Sequence, residues 1–83
     1  MTTMKVKKWV IDKAQMTATR YNTFIDMERG EDGTPRVEDG YVTVIVEKQL
    51  SETEKAVNVV LSTGKVLGSV KGWTLWIPKS QIA

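Results

Sequence analysis

The stretch YVTVIVEK, residues 41–48, places its side chains alternately on two faces. Val42, Val44 and Val46 share one face, and a tyrosine, a threonine and an isoleucine share the other. A β-branched run with one uniformly apolar face is typical of a strand that packs on a core. The stretch therefore predicts a central β-strand around which the rest of the chain folds.

Further runs rich in valine, isoleucine, leucine and tryptophan flank this strand. In chain order they are KVKKWVIDK (5–13), AVNVVLS (56–62), KVLGSV (65–70) and WTLWI (73–77). Glycine-containing turns separate the last three runs, and a proline closes the final one. The count of five or six short strands predicts an all-β fold. We expect a small five- to six-stranded antiparallel barrel, either oligonucleotide-binding-like or SH3-like.

Residues 12–27 allow two interpretations. Asp12 can cap a helix whose apolar face consists of Ala14, Ala18, Tyr21 and Ile25. The density of threonine and aromatic residues favours a strand instead, and this is the interpretation that we prefer.

The remaining segments predict a single domain with two irregular parts. Residues 1–4 are expected to form a disordered tail before a domain that spans residues 5–83. Residues 28–40 contain glycines, a proline and most of the clustered acids, so we expect a mobile acidic loop there.

Composition argues against several classes of function. The chain has 83 residues, with no cysteine and no histidine. It therefore lacks the commonest general base, the commonest metal ligand and any thiolate nucleophile. We expect no enzymatic activity, no cofactor and no metal site. The absence of cysteine and of a long apolar run fits a cytoplasmic protein that does not contact a membrane.

The charges are segregated along the chain. Residues 1–24 carry five cations and one acid, residues 25–54 carry three cations and nine acids, and residues 55–83 carry four cations and no acid. All three tryptophans lie in the two basic ends. If these ends fold side by side, they form a basic and aromatic surface.

Such a surface is typical of proteins that bind single-stranded nucleic acid, because aromatic rings stack on bases while lysines contact phosphates. Alternation along 73–77 assigns Trp73 to the core and leaves Trp76 exposed, with Trp9 as a second exposed ring. The sequence thus predicts a nucleic-acid-binding surface. Its residues are Lys7, Trp9, Arg20, Lys71 and Trp76.

The C-terminal residues WIPKSQI (76–82) and the earlier ETEKAVNVVL (52–61) carry a family resemblance. Together they resemble small uncharacterised β-proteins of phages and mobile elements. KVLGSVKG (65–72) departs from those sequences, in which a shorter hairpin turn is usual. The resemblance implies a small β-barrel and a phage origin, and it implies no functional residue.

Two other functions fit the same residues. The apolar patch around Trp9, Val10, Trp73 and Trp76 suits a protein-interaction or inhibitor module that contacts a host protein. Edge strands that pair across a two-fold axis would instead give a homo-oligomer.

Overall fold

The computed structural model describes residues 2–64 and 71–83 of the chain. Its elements, in chain order, are β1 (Thr2–Lys7), α1 (Lys8–Thr19), β2 (Tyr41–Glu52), β3 (Ala56–Leu61), β4 (Trp73–Pro78) and a short 3-10 turn (Lys79–Gln81). The four strands form one sheet in the order β1-β2-β3-β4, and every neighbouring pair is antiparallel.

β2 is the longest strand and pairs with a different neighbour along each half. Its first half pairs with β1, from Tyr41 to Val46, and its second half pairs with β3. The register shifts between Val46 and Lys48, where the strand passes from one partner to the other. Such irregularities increase the local bend and twist, so the sheet curls around its apolar face. The valines that the alternation assigned to that face are buried.

The helix α1 corrects two expectations. Residues 12–27 were expected to form a strand, and the first strand was expected to continue to residue 13. The helix begins directly after β1 and buries Val10, Ile11, Ala14 and Ala18. These positions recur at the spacing of a helix, which brings them to one face. The threonine-rich composition indicated a strand, but burial of this stripe against the sheet determines the conformation.

The core lies between α1 and the concave face of the sheet. Its most buried members are Val6, Ile11, Ile25, Val42, Val44, Val59, Leu61 and Ile77. The segment between α1 and β2 contributes Ile25 and forms only isolated bridges to the sheet, such as Met27 to Val44. Local contacts hold residues 28–40 together. Arg29 bridges Pro35, and the Arg36 guanidinium forms an ion pair with the Glu28 carboxylate at 3.0 Å.

Within residues 2–64 and 71–83 the sheet is not closed into a barrel, which corrects the expected architecture. In the described residues it has four strands rather than five or six, and β1 and β4 remain its two edges. The chain ends nevertheless meet beyond β4. Val6 bridges Ile82, and the Ala83 amide donates to the Lys5 carbonyl at 3.0 Å.

Two other expectations concern particular segments. The structure places Thr2–Met4, expected in a disordered tail, in β1 opposite Val46–Val44. The strand expected at 65–70 lies outside the described residues. Among the residues that are described, no helix has the length and apolarity needed to cross a bilayer.

Candidate binding groove between α1 and β4

A groove of about 450 Å³ lies between α1 and β4. Its α1 wall consists of Trp9, Val10, Lys13, Ala14 and Thr17, and its β4 wall consists of Trp73, Thr74, Leu75, Trp76 and Pro78. All three tryptophans of the chain therefore line one concavity. The groove joins the basic N-terminal and C-terminal ends, as the sequence predicts for adjacent termini.

α1 and β4 run in opposite directions along the groove. The Trp9 indole N–H, near the start of α1, donates to the Gln81 side-chain oxygen just beyond β4 at 3.1 Å. The Tyr21 ring, just beyond α1, lies 5.9 Å from the ring of Trp73 at the start of β4. From Trp9 to Thr17 the helix rises about 12 Å, which sets the length of the helical wall.

The tryptophans differ in exposure as the alternation of β4 predicts. Trp73 packs against the core, whereas Trp76 is 49% exposed. Trp9 is 55% exposed although its indole N–H is hydrogen-bonded. The bond to Gln81 restrains the ring of Trp9 and leaves much of its surface open to the groove.

The C-terminal turn that carries Gln81 is itself anchored. The Lys79 amide donates to the Lys55 carbonyl at 2.8 Å, and the Lys79 ammonium donates to a Glu52 carboxylate oxygen at 2.6 Å. This hydrogen bond, helped by one from Gln49, lowers the pKa of Glu52 below its ordinary value. The WIPKSQI segment therefore contributes the wall residues Trp76 and Pro78 and positions Trp9.

Lys13 is the one charged residue among the described residues that line the groove. It follows Trp9 by one helical turn, on the exposed side of α1. Within residues 2–64 and 71–83 its ammonium makes no ion pair, whereas the neighbouring Lys8 is paired with Asp12 at 2.6 Å. The groove therefore offers a cation to a ligand, with no acid on its described walls.

The structure brings some of the predicted site residues together and separates others. Trp9 and Trp76 line the groove. Lys7 lies on β1, which β2 and β3 separate from β4, and its ammonium is 4.5 Å from the ring centre of Tyr41 rather than on a groove wall. Arg20 and Lys71 are close in sequence to Tyr21 and Trp73, which places them beyond that end of the groove rather than on its walls.

Lys13 was not among the predicted site residues, because the sequence does not show that the residues after Trp9 fold back along β4 as a helix. The i, i+4 spacing of Trp9 and Lys13 places them on one side of either a helix or a strand, so a shared side for these two residues could be read from the sequence. The hydroxyls of Thr17 and Thr74 were missed for the same reason: they depend on which element faces β4 across the groove.

A second, smaller concavity of about 140 Å³ lies on the Lys7 face of the sheet. Its charged residues are largely paired with one another, Lys5 with Glu38 and Arg36 with Glu28. In the part of the chain that the structure describes, no group of three acidic side chains is placed to hold a metal ion. The groove between α1 and β4 is therefore the stronger candidate for a functional site.

Comparison of the chain with models of protein families, with curated proteins and with solved structures finds no match.

Proposed function

We propose that the protein is a non-catalytic interaction module whose α1–β4 groove binds a segment of a partner protein. The observation that carries the proposal is the convergence of Trp9, Trp73 and Trp76 on one groove of about 450 Å³. Tryptophan is the residue most enriched among the side chains that dominate protein interfaces. A concavity of this volume is within the range of specific ligand sites.

The polar groups of the groove support binding rather than catalysis. Lys13, Thr17 and Thr74 are the polar side chains on its walls apart from the indole N–H groups. General acid–base chemistry needs a positioned group that titrates near neutral pH, usually an imidazole or a carboxylate with a raised pKa. The described walls hold neither, so an apolar ligand with few polar contacts fits them best.

Single-stranded nucleic acid is the second candidate ligand, favoured by exposed rings next to a free cation. Trp9 and Trp76 offer surfaces on which bases stack, and Lys13 offers a contact for a phosphate. We place it second because backbone binding requires several cations along one path. Lys13 is the only cation on the described groove walls, and Lys7 lies on β1, away from the groove.

The resemblance of residues 76–82 to proteins of phages and mobile elements bears on the choice of partner. If the chain has that origin, a host protein is the partner that we expect. We further expect a cytoplasmic encounter, in keeping with the cysteine-free composition.

The test begins with selection of random peptides displayed on phage against the full chain. The selected peptide is then synthesised with a fluorescent label, and its affinity is measured by anisotropy. Trp76→Ala should weaken binding by about tenfold or more, because it removes a central aromatic contact. Leu50→Ala is the matched control: Leu50 is 47% exposed, lies on β2 and does not line the groove. It should change affinity by less than about twofold.

Titration with oligo-dT at two salt concentrations decides between the two candidates. Nucleic-acid binding should quench the tryptophan emission and weaken steeply as salt rises. Selection of no peptide, or equal affinity of Trp76→Ala and Leu50→Ala for the selected peptide, would overturn the proposal. Salt-sensitive quenching by oligo-dT that Trp76→Ala abolishes would then establish the second candidate.

A further inference from the structure

Among the described residues, some backbone groups on the outer edge of β4 have no hydrogen-bond partner, and the pairing of β4 with β3 identifies them. The amide and carbonyl of Ala56 are both bonded to Thr53 in the β2–β3 turn, so they point away from β4. The next residue outward, Lys55, accepts a bond from Lys79 and thus points toward the β4 side. Bonded and non-bonded pairs alternate along an antiparallel ladder.

This alternation fixes the direction of each backbone group along β4. Ala56 lies opposite Pro78, and because its groups point away from β4 the two residues form a non-bonded pair. Trp76 opposite Asn58 and Thr74 opposite Val60 follow at steps of two residues, so they are non-bonded pairs as well. The N–H and C=O groups of Thr74 and Trp76 therefore point away from β3. Among the described residues, no backbone or side-chain group is bonded to them.

The free edge faces the groove. Side chains from both faces of β4 line it, with Trp73 and Leu75 from the core face and Thr74 and Trp76 from the other. A groove lined by both faces of one edge strand runs along the edge itself. α1 forms the opposite wall, so an extended chain that enters the groove lies between the outer edge of β4 and a helix.

We infer that the groove binds an extended peptide as an additional strand on β4, with an acidic group of the peptide at Lys13. This inference rests on the proposed function and specifies its ligand. Thr74 and Trp76, about 7 Å apart along the strand, together supply two donors and two acceptors to the added strand. Apolar side chains on one side of the peptide contact Val10, Ala14 and Leu75.

Charge complementarity supplies the acidic part of the inference. The described groove walls hold the unpaired Lys13 and no carboxylate. A peptide glutamate, aspartate or C-terminal carboxylate would pair with this exposed ammonium at the rim of the groove, where it fixes the orientation of the peptide. Peptide side chains that point out of the groove contribute little to recognition.

The experiment uses the peptide selected for the proposed function and replaces its amides, one at a time, by N-methyl amides. In an added strand every second amide of the peptide points toward β4. Methylation should therefore abolish binding at alternate positions, and at the intervening positions the affinity should stay within about threefold of that of the unmodified peptide. Equal tolerance at all positions, for a peptide whose binding still depends on Trp76, would overturn the inference and leave the proposed function intact.

Variants of the protein provide an independent measurement. Thr74→Pro removes an outward N–H that is not part of the β3–β4 ladder, and Thr74→Val keeps that N–H while removing the hydroxyl. We expect about tenfold weaker peptide binding for Thr74→Pro and less than about twofold change for Thr74→Val. Because proline can disturb the strand, the N-methyl series on the unaltered protein decides the matter if Thr74→Pro does not fold.

The acidic contact is tested by Lys13→Met, with Lys55→Met as the matched control. Lys55 is exposed in the β2–β3 turn and does not line the groove. Lys13→Met should weaken binding of an acidic peptide by about five- to tenfold, and replacement of the peptide acid by its amide should abolish that difference. Equal effects of the two lysine variants would contradict the placement of the acid. Sedimentation that reveals a dimer competing with the peptide would identify a second copy of the chain as the occupant and overturn the inference.

Discussion

Replacing Ile11 by alanine tests whether burial of α1 holds the helix on the sheet. Ile11 is fully buried in the core. The change removes about three buried carbon groups, each contributing about 0.8 kcal/mol, and leaves a cavity that adds to the cost. We expect the free energy of unfolding to fall by about 3 kcal/mol. The free energy of unfolding of a chain of 83 residues is about 4–12 kcal/mol in total, so the variant still folds but with a smaller free energy of unfolding.

The assay is urea denaturation followed by far-ultraviolet circular dichroism, with thermal unfolding as a second measurement. A loss of about 3 kcal/mol should lower the melting temperature by about 12–24 °C in a domain of this size. Met16→Ala is the matched control on the same helix, because Met16 is 75% exposed. It should change stability by less than about 0.5 kcal/mol.

The comparison also distinguishes a helix from a strand at these positions. In a strand Ile11 would share a face with Trp9 and Lys13, whereas in a helix it lies about opposite both. The exposure of Trp9 and the burial of Ile11 agree with the helix. Similar losses for Ile11→Ala and Met16→Ala, or a loss below about 1 kcal/mol for Ile11→Ala, would refute this account of the packing.

Two further predictions concern the C-terminal turn. Gln81→Met removes the side-chain oxygen that accepts the hydrogen bond of the Trp9 indole N–H. The resonance of that N–H should shift, and its hydrogen exchange with water should accelerate about tenfold. The melting temperature should change by only a few degrees. An unchanged indole resonance would contradict the bond. Lys79→Met should raise the pKa of Glu52 toward its ordinary value, as carboxyl chemical shifts measure, because the variant lacks the hydrogen bond that lowers it. Since the folded-state pKa lies below the unfolded one, the pair stabilises the fold above the unfolded-state pKa. This contribution disappears as pH falls through the folded-state pKa, and an equal acid dependence of stability in the variant would count against it.

The local alternation of side chains predicted the strands β2, β3 and β4. Valines at 42, 44 and 46 are buried in β2, and the pattern of 73–77 distinguishes the packed Trp73 from the exposed Trp76. These features follow from the two-residue period of a strand, which needs no knowledge of distant contacts. The basic and aromatic surface required the two chain ends to be neighbours, and the bridge from Val6 to Ile82 brings them together.

Tertiary structure alone decided the conformation of α1 and the composition of the groove. Residues 8–19 contain β-branched and aromatic residues that are compatible with a strand, and the helix forms because it buries Ile11 and its neighbours against the sheet. That choice moves Lys13 into the groove, while the strand order leaves Lys7 on β1, away from it. Sequence alternation is a property of neighbours along the chain. The α1–β4 groove instead joins residues more than 50 positions apart, and only packing determines which of them meet.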